Sequence, residues 1–179
     1  MSRWLLSALL VLGLAAPARA DEPSNLAVFN DVSKQVQQYA FFTIFDAVHA
    51  SIDNGVVTLS GKVTMPYKAT DIAKRVAKVD GVTQVRNQIQ VLPVSQFDNE
   101  LRLRIARAIY RNSSLSMYGI GANPSIHIIV ERGHVTLDGV VNNDMDRTIA
   151  RMVAAQFEAF SVKNDLKTTE EVKQELEKL

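Results

Sequence analysis

An eleven-residue pattern occurs twice in this chain. Asp53-Asn54-Gly55-Val56-Val57-Thr58-Leu59-Ser60-Gly61-Lys62-Val63 returns 78 residues later as Glu131-Arg132-Gly133-His134-Val135-Thr136-Leu137-Asp138-Gly139-Val140-Val141. Acid, x, Gly, x, Val, Thr, Leu, x, Gly, x, Val is kept in both. A repeat at fixed spacing sets the domain count before any other reading, and here it predicts two copies of one small domain. Each copy has the form of a β-hairpin. Val48, Ala50 and Ile52 alternate with His49, Ser51 and Asp53 before the turn, and Val57, Leu59 and Val63 share one face after it. Asn54-Gly55 suits a type I′ turn, which needs φ > 0 at both central residues. Arg132-Gly133 is a poorer turn pair. Gly61 and Gly139, inside the outgoing strands, predict a bulge or a close approach of another backbone.

Around the hairpins, helical periodicity completes each unit. Val28, Val32, Val36 and Tyr39 predict a first helix, with Lys34, Gln35 and Gln37 facing away. Pro66 opens a second, with Ile72, Val76 and Val79 inward and Lys68, Arg75 and Lys78 nearer solvent. Asp80-Gly81 is read as its end, and residues 82–91 as a third strand. A strand–helix–strand crossover joins parallel strands. The fold class expected is α+β: two tandem α-β-β-α-β domains, each a three-stranded mixed sheet packed on two helices. In the second unit Asp98 is taken as the N-cap of a helix with Leu101, Ile105, Ala108 and Ile109 inward. Asn143 caps the next helix, and Thr168 with Glu171 forms a capping box for a tail helix carrying Val172, Leu176 and Leu179. The expected boundaries are 1–20 signal peptide, 25–92 first domain, 93–97 linker, 98–167 second domain and 168–179 amphipathic tail. The aromatic run at 41–45 is expected to close one end of the first core.

The valine-threonine-leucine-x-glycine-x-valine pattern, followed by a helix and Val85-x-Asn87-x-Ile89 or Val162-x-Asn164-x-Leu166, resembles the BON domain (bacterial OsmY and nodulation). Two copies behind a secretion signal resemble the dual-BON, osmotically inducible periplasmic proteins. The resemblance spans nearly all of the chain after residue 24. It implies a non-catalytic envelope protein that binds anionic phospholipid or envelope proteins and supports envelope integrity under osmotic stress. The alternative it leaves is a chaperone-like periplasmic protein that holds client proteins.

Localisation is read from residues 1–20: a positive start at Arg3, an apolar run from Trp4 to Ala16, and a small-x-small cleavage site at Ala18-Arg19-Ala20. Cleavage there leaves 18 basic residues, 20 less Arg3 and Arg19, against 19 acidic ones. A chain of such balance has no global attraction for nucleic acid, so no nucleic-acid partner is expected. There is no cysteine, hence no disulfide framework and no residue for a lipid anchor. The expectation is a protein soluble in the periplasm.

No phosphate-binding loop, nucleophile elbow or helical metal motif is present. The expectation is therefore no enzyme, no cofactor, no metal and no small-molecule substrate. His49 and His127 hold matching positions, and a two-residue turn places His127 opposite Asp138 and His49 opposite Ser60. An exposed cross-strand pair is the reading favoured over a metal or acid-base site.

The helix from Asp98 carries Arg102, Arg104, Arg107 and Arg111, and the loop after it carries Leu115, Met117, Tyr118 and Ile120. Cations beside apolar groups suit an anionic membrane surface. In a dual-BON relative the first helix of the second domain makes the lipid contact, so the resemblance implies the same helix here. Arg104, Arg107, Tyr110, Arg111, Leu115, Met117 and Tyr118 are the expected lipid or partner contacts.

Overall fold

A computed structural model of the protein describes residues 23–121 and 123–178. The expected cleavage segment at 1–20 and the tail residue Leu179 lie outside them. Helix α1 (Asn25–Gln37) is capped by the hydroxyl of Ser24, which accepts from the Ala27 amide, and it buries Val28, Val32 and Val36. Strands β1 (Ala47–Asp53) and β2 (Val56–Val63) form the first hairpin, with Asp53 opposite Val56. Asn54 and Gly55 take φ of 48° and 76°, the left-handed pair that a type I′ turn requires. Helix α2 (Pro66–Val76) follows. It ends before Asp80-Gly81, and the chain turns through Val79 before strand β3 (Gln84–Asn87).

The third strand of this domain is broken. β3 and β4 (Gln90–Val91) both run parallel to β2, separated by Gln88 and Ile89. Asn87 accounts for the break, because its side chain donates to the Ala69 carbonyl of α2 and accepts from the Ile89 amide. The second domain repeats the plan with α3 (Gln96–Arg111), β5 (Ile126–Glu131), β6 (His134–Val141), α4 (Asp144–Ala154) and β7 (Ser161–Thr168). Here β7 runs unbroken and parallel beside β6. Asn164 still donates to the Arg147 carbonyl of α4. A final helix, α5 (Thr169–Leu176), begins with the expected capping box of Thr168 and Glu171 and buries none of its residues.

Arg132 and Gly133 adopt φ of 52° and 77°, nearly matching the first hairpin despite the poorer turn sequence. The reason lies at Asp98. Its carboxylate is buried and accepts from the backbone amides of Arg132 and Gly133, both at 2.8 Å. Asp98 is therefore not the helix cap expected of it. Ser95 is the cap, accepting from the Asp98 amide, and α3 starts at Gln96. Gly61 and Gly139 mark close approaches: a β-carbon at either would lie 2.2 Å from the Ala47 carbonyl oxygen or 2.0 Å from that of Ser125.

Each domain has its own apolar core between its sheet and its helices. Leu59, Ile72 and Val32 sit in the first; Leu137, Ile105 and Ile128 sit in the second. Lys68, expected near solvent, is buried. Its ammonium lies 2.6 Å from Asp46, whose carboxylate also accepts from the amides and hydroxyls of Thr43 and Thr64. Burial alone would raise the Asp46 pKa. The Lys68 pair and the threonine bonds outweigh it and hold the carboxyl below its ordinary value. Every lone pair of the buried carboxylate is thus engaged, which is the condition for such a pair to be tolerated.

Candidate interaction surface

The domains meet on the sheet faces opposite their helices. Ala47 and Leu92 from the first pack on Ile129 from the second. His49 Nε2 lies 2.9 Å from the Asp138 carboxylate, and Lys62 pairs with Glu131. The aromatic run at 41–45 is divided between the domains. Phe42 packs on the first core and against the His127 ring, with centroids 5.4 Å apart. Ile44 and Phe45 pack on the second core, and the Ile44 carbonyl accepts the Ile128 amide at 2.7 Å. Expected as a plug for one core, the run is instead the joint between two.

The hairpin registers place His49 opposite Ser60 and His127 opposite Asp138, as the turn length predicts. The expected exposed His127–Asp138 pair is nevertheless absent, since Asp138 engages His49 of the other domain. The hydrogen bond that His49 donates to Asp138 is the chief reason its pKa is raised. His127 is shielded by Phe42, its Nδ1 has no hydrogen-bond partner among the described residues, and burial lowers its pKa. No group of three or more metal-ligating side chains lies among the described residues.

On the helix side of the second domain the expected contact residues separate. Arg102 is 5% exposed; it donates to the Asp98 and Val130 carbonyls, with its guanidinium over the Phe45 ring. It ties α3 to β5 and to the seam. Arg104, Arg107 and Arg111 lie on the exposed side of α3, with Arg104 resting over Phe157 at 5.3 Å. Tyr110 is half-buried. Its ring lies against Gly119 and its hydroxyl donates to the Ile126 carbonyl. Burial pushes its pKa up to about 12.

Leu115 and Tyr118, expected to reach a bilayer, belong to the core at 0% and 7% exposure. A single 3-10 turn (Ser116–Gly119) folds them inward. Tyr118 then donates to Asp146 at 2.5 Å and accepts the Asn142 amide at 2.8 Å. Asn142 and Asp146 are the repeat counterparts of Thr64 and Lys68, so Tyr118 takes the part that Asp46 plays in the first domain. Inward turning of these two leaves Met117 and Ile120 outward, at 53% and 79% exposure.

Tyr118 also ties this turn to the start of α4, bringing Met117 to the same end of the helix layer as Met145. Met145 and Met152 are both exposed. They stand seven residues apart on one face of α4 with half-buried Ile149 between them, away from the buried Ala150, Val153 and Ala154. That spacing groups them with Ile149, expected to face inward, so the sequence carried no signal for their exposure. The surface therefore combines three outward arginines with Met117, Ile120, Met145 and Met152. Methionine and isoleucine supply an adaptable apolar area, and the guanidiniums supply positive charge and donors for carboxylate or phosphate. No helix among the described residues is long and apolar enough to cross a membrane.

Comparison with known proteins places the chain among relatives of this architecture. The BON domain model matches residues 42–93 and again 98–170. Among curated proteins none matches the chain. Two solved structures are similar at 15% identity. One is CdsD, a structural protein of the type III secretion system of Chlamydia trachomatis, with 83% of this chain and 96% of that chain covered at a TM-score of 0.28. The other is the C-terminal domain of CdsD, with 80% and 98% covered at 0.30. Two matched segments, each carrying one copy of the hairpin pattern and its mixed sheet, show that this chain belongs to the BON domain family as a tandem, dual-BON protein.

Proposed function

We propose that this protein is a non-catalytic, periplasmic component of the cell envelope, whose second domain docks on anionic phospholipid and supports the envelope under osmotic stress. BON domains occur in envelope proteins that bind membranes and are in general non-catalytic. The observation that carries the reading is the pairing of Arg104, Arg107 and Arg111 with outward Met117 and Ile120. A chain of almost no net charge thereby presents local cations beside apolar groups.

Basic residues near an anionic surface contribute ~1 kcal/mol each, screened by salt. Arg107 and Arg111 are the better pair to remove, because Arg104 also rests on Phe157. The Arg107→Ala, Arg111→Ala double variant is expected to lose ~2 kcal/mol of binding, roughly thirtyfold. Cosedimentation with phosphatidylglycerol vesicles at low and moderate salt measures it. Unchanged pelleting of the folded double variant, or wild-type binding that ignores lipid charge, would remove α3 as the contact.

A further inference from the structure

The two sheets treat their terminal strands differently. β5 ends its sheet, and its outer edge receives a turn of the same chain: the Ile44 carbonyl accepts the Ile128 amide while Ile44 and Phe45 cover the neighbouring core. β1 is the repeat counterpart of β5 and also ends its sheet. Among the described residues its only strand partner is β2, and no other backbone group bonds to residues 47–53. Unpaired edge groups beside an apolar surface are a template for another strand.

A groove of about 870 Å³ runs along this edge. Four consecutive residues of β1, Ala47, Val48, His49 and Ala50, line it. Alternate residues of a strand face opposite sides, so a groove touching all four follows the edge itself. Phe29 and Val36 of α1 form one wall; Pro124, Val140 and Val172 contribute the other. The groove continues into the established seam through Phe42 and Ile44. Its charged rim is internally neutralised, since His49 pairs with Asp138 and Lys167 pairs with Glu175 at 2.5 Å. His127 also lines it, with Phe42 against its ring.

We propose that this groove binds a short, uncharged, extended polypeptide segment, which adds to the outer edge of β1 as an extra strand. Main-chain hydrogen bonds supply affinity in strand addition, and pockets for alternate side chains supply selectivity. The neutral rim favours a peptide without charged side chains over an anionic lipid headgroup. The Ile44 carbonyl on β5 is one such main-chain bond made within the chain, from a turn whose apolar side chains pack on the core. This surface is separate from the arginine face of α3.

The probe is an acetylated, amidated hexapeptide of alternating valine and threonine, added to the isotopically labelled full-length protein. Amide exchange at Ala50, the counterpart of Ile128, and at Val48 two residues before it, whose N–H groups point away from β2, is expected to slow at least tenfold on saturation, and the His127 ring resonances to move. The same peptide N-methylated at every internal residue, which blocks both edges, is expected not to bind. Asn30→Trp, at an exposed position on the groove rim, is expected to weaken binding at least tenfold. Absence of protection along β1, equal binding of the N-methylated peptide, or displacement of these resonances by lysophosphatidylcholine and not by the peptide would each overturn the proposal.

Discussion

Gly55 shows how much one backbone angle carries. At φ of 76° a β-carbon would be strained, and it would lie 2.8 Å from the Gly81 carbonyl oxygen. Gly55→Val is expected to cost on the order of 1–2 kcal/mol, read as a lower Tm, and a variant that melts with the wild type would deny the turn. Asp98 is the residue that the sequence disguised. An acid at the beginning of an arginine-rich helix reads as a cap, whereas its carboxylate holds a turn 34 residues away in the chain. Asp98→Ala strands two turn amides, and leaving buried donors unmet is expected to cost about 3 kcal/mol in thermal or urea unfolding. Asp98→Asn, which keeps one acceptor oxygen, is expected to lose less. Leu115 and Tyr118 were misleading for a related reason. Serines and glycines around them resemble an exposed loop, and only the end of the second core shows that it needs these two side chains.

At the level of elements, period-two and helical patterns recover both hairpins, the helices and the parallel third strands, because alternation is local; the caps at Asn143 and Thr168 were also legible, the one at Ser95 was not. What depends on a distant partner was not legible. Val85-x-Asn87 and Val162-x-Asn164 are visible as a pattern, but the bond each asparagine makes to its helix is not. The helix bond is common to both domains; the break between β3 and β4 goes with the second bond of Asn87, from the Ile89 amide, which has no counterpart at Asn164 among the described residues. Arg102 illustrates the candidate surface. Helical spacing groups it with three other arginines, and its burial is decided by Val130 and Phe45, which no local pattern brings near. The arginine helix could thus be located from sequence, but its outward face could not be separated from its inward one.

For the molecule as a whole the seam carries two histidines of opposite behaviour. His49, facing Asp138, Lys167 and Asp165, has a raised pKa. Its contribution to stability is complete below the ordinary histidine value and is lost as pH rises through the folded-state value. His127, against Phe42 and facing Asp138 with the backbone of Thr43 and Asp46, has a lowered pKa owing first to burial. Its contribution is present above the ordinary value and is lost as pH falls through the lowered one. His127→Phe keeps a ring on Phe42 without a titrating group. Between pH 5 and 8 it is expected to lessen the acid-side fall in Tm and leave the loss on the alkaline side, whereas His49→Gln is expected to remove the latter. Identical Tm profiles for all three proteins would detach both histidines from the seam.

The central claim is that the second domain's helix face meets an anionic bilayer. The absence of cysteine from the sequence makes a direct measurement clean. Ile120→Cys and Asp53→Cys, each labelled with a polarity-sensitive fluorophore, report the proposed contact and the tip of the first hairpin. With phosphatidylglycerol vesicles the label at Ile120→Cys is expected to shift to the blue and become quenched by spin-labelled lipid, while the label at Asp53→Cys keeps its aqueous spectrum. Insertion of the Asp53→Cys label with an unchanged Ile120→Cys label, or no response from either while the protein pellets with the vesicles, would contradict it.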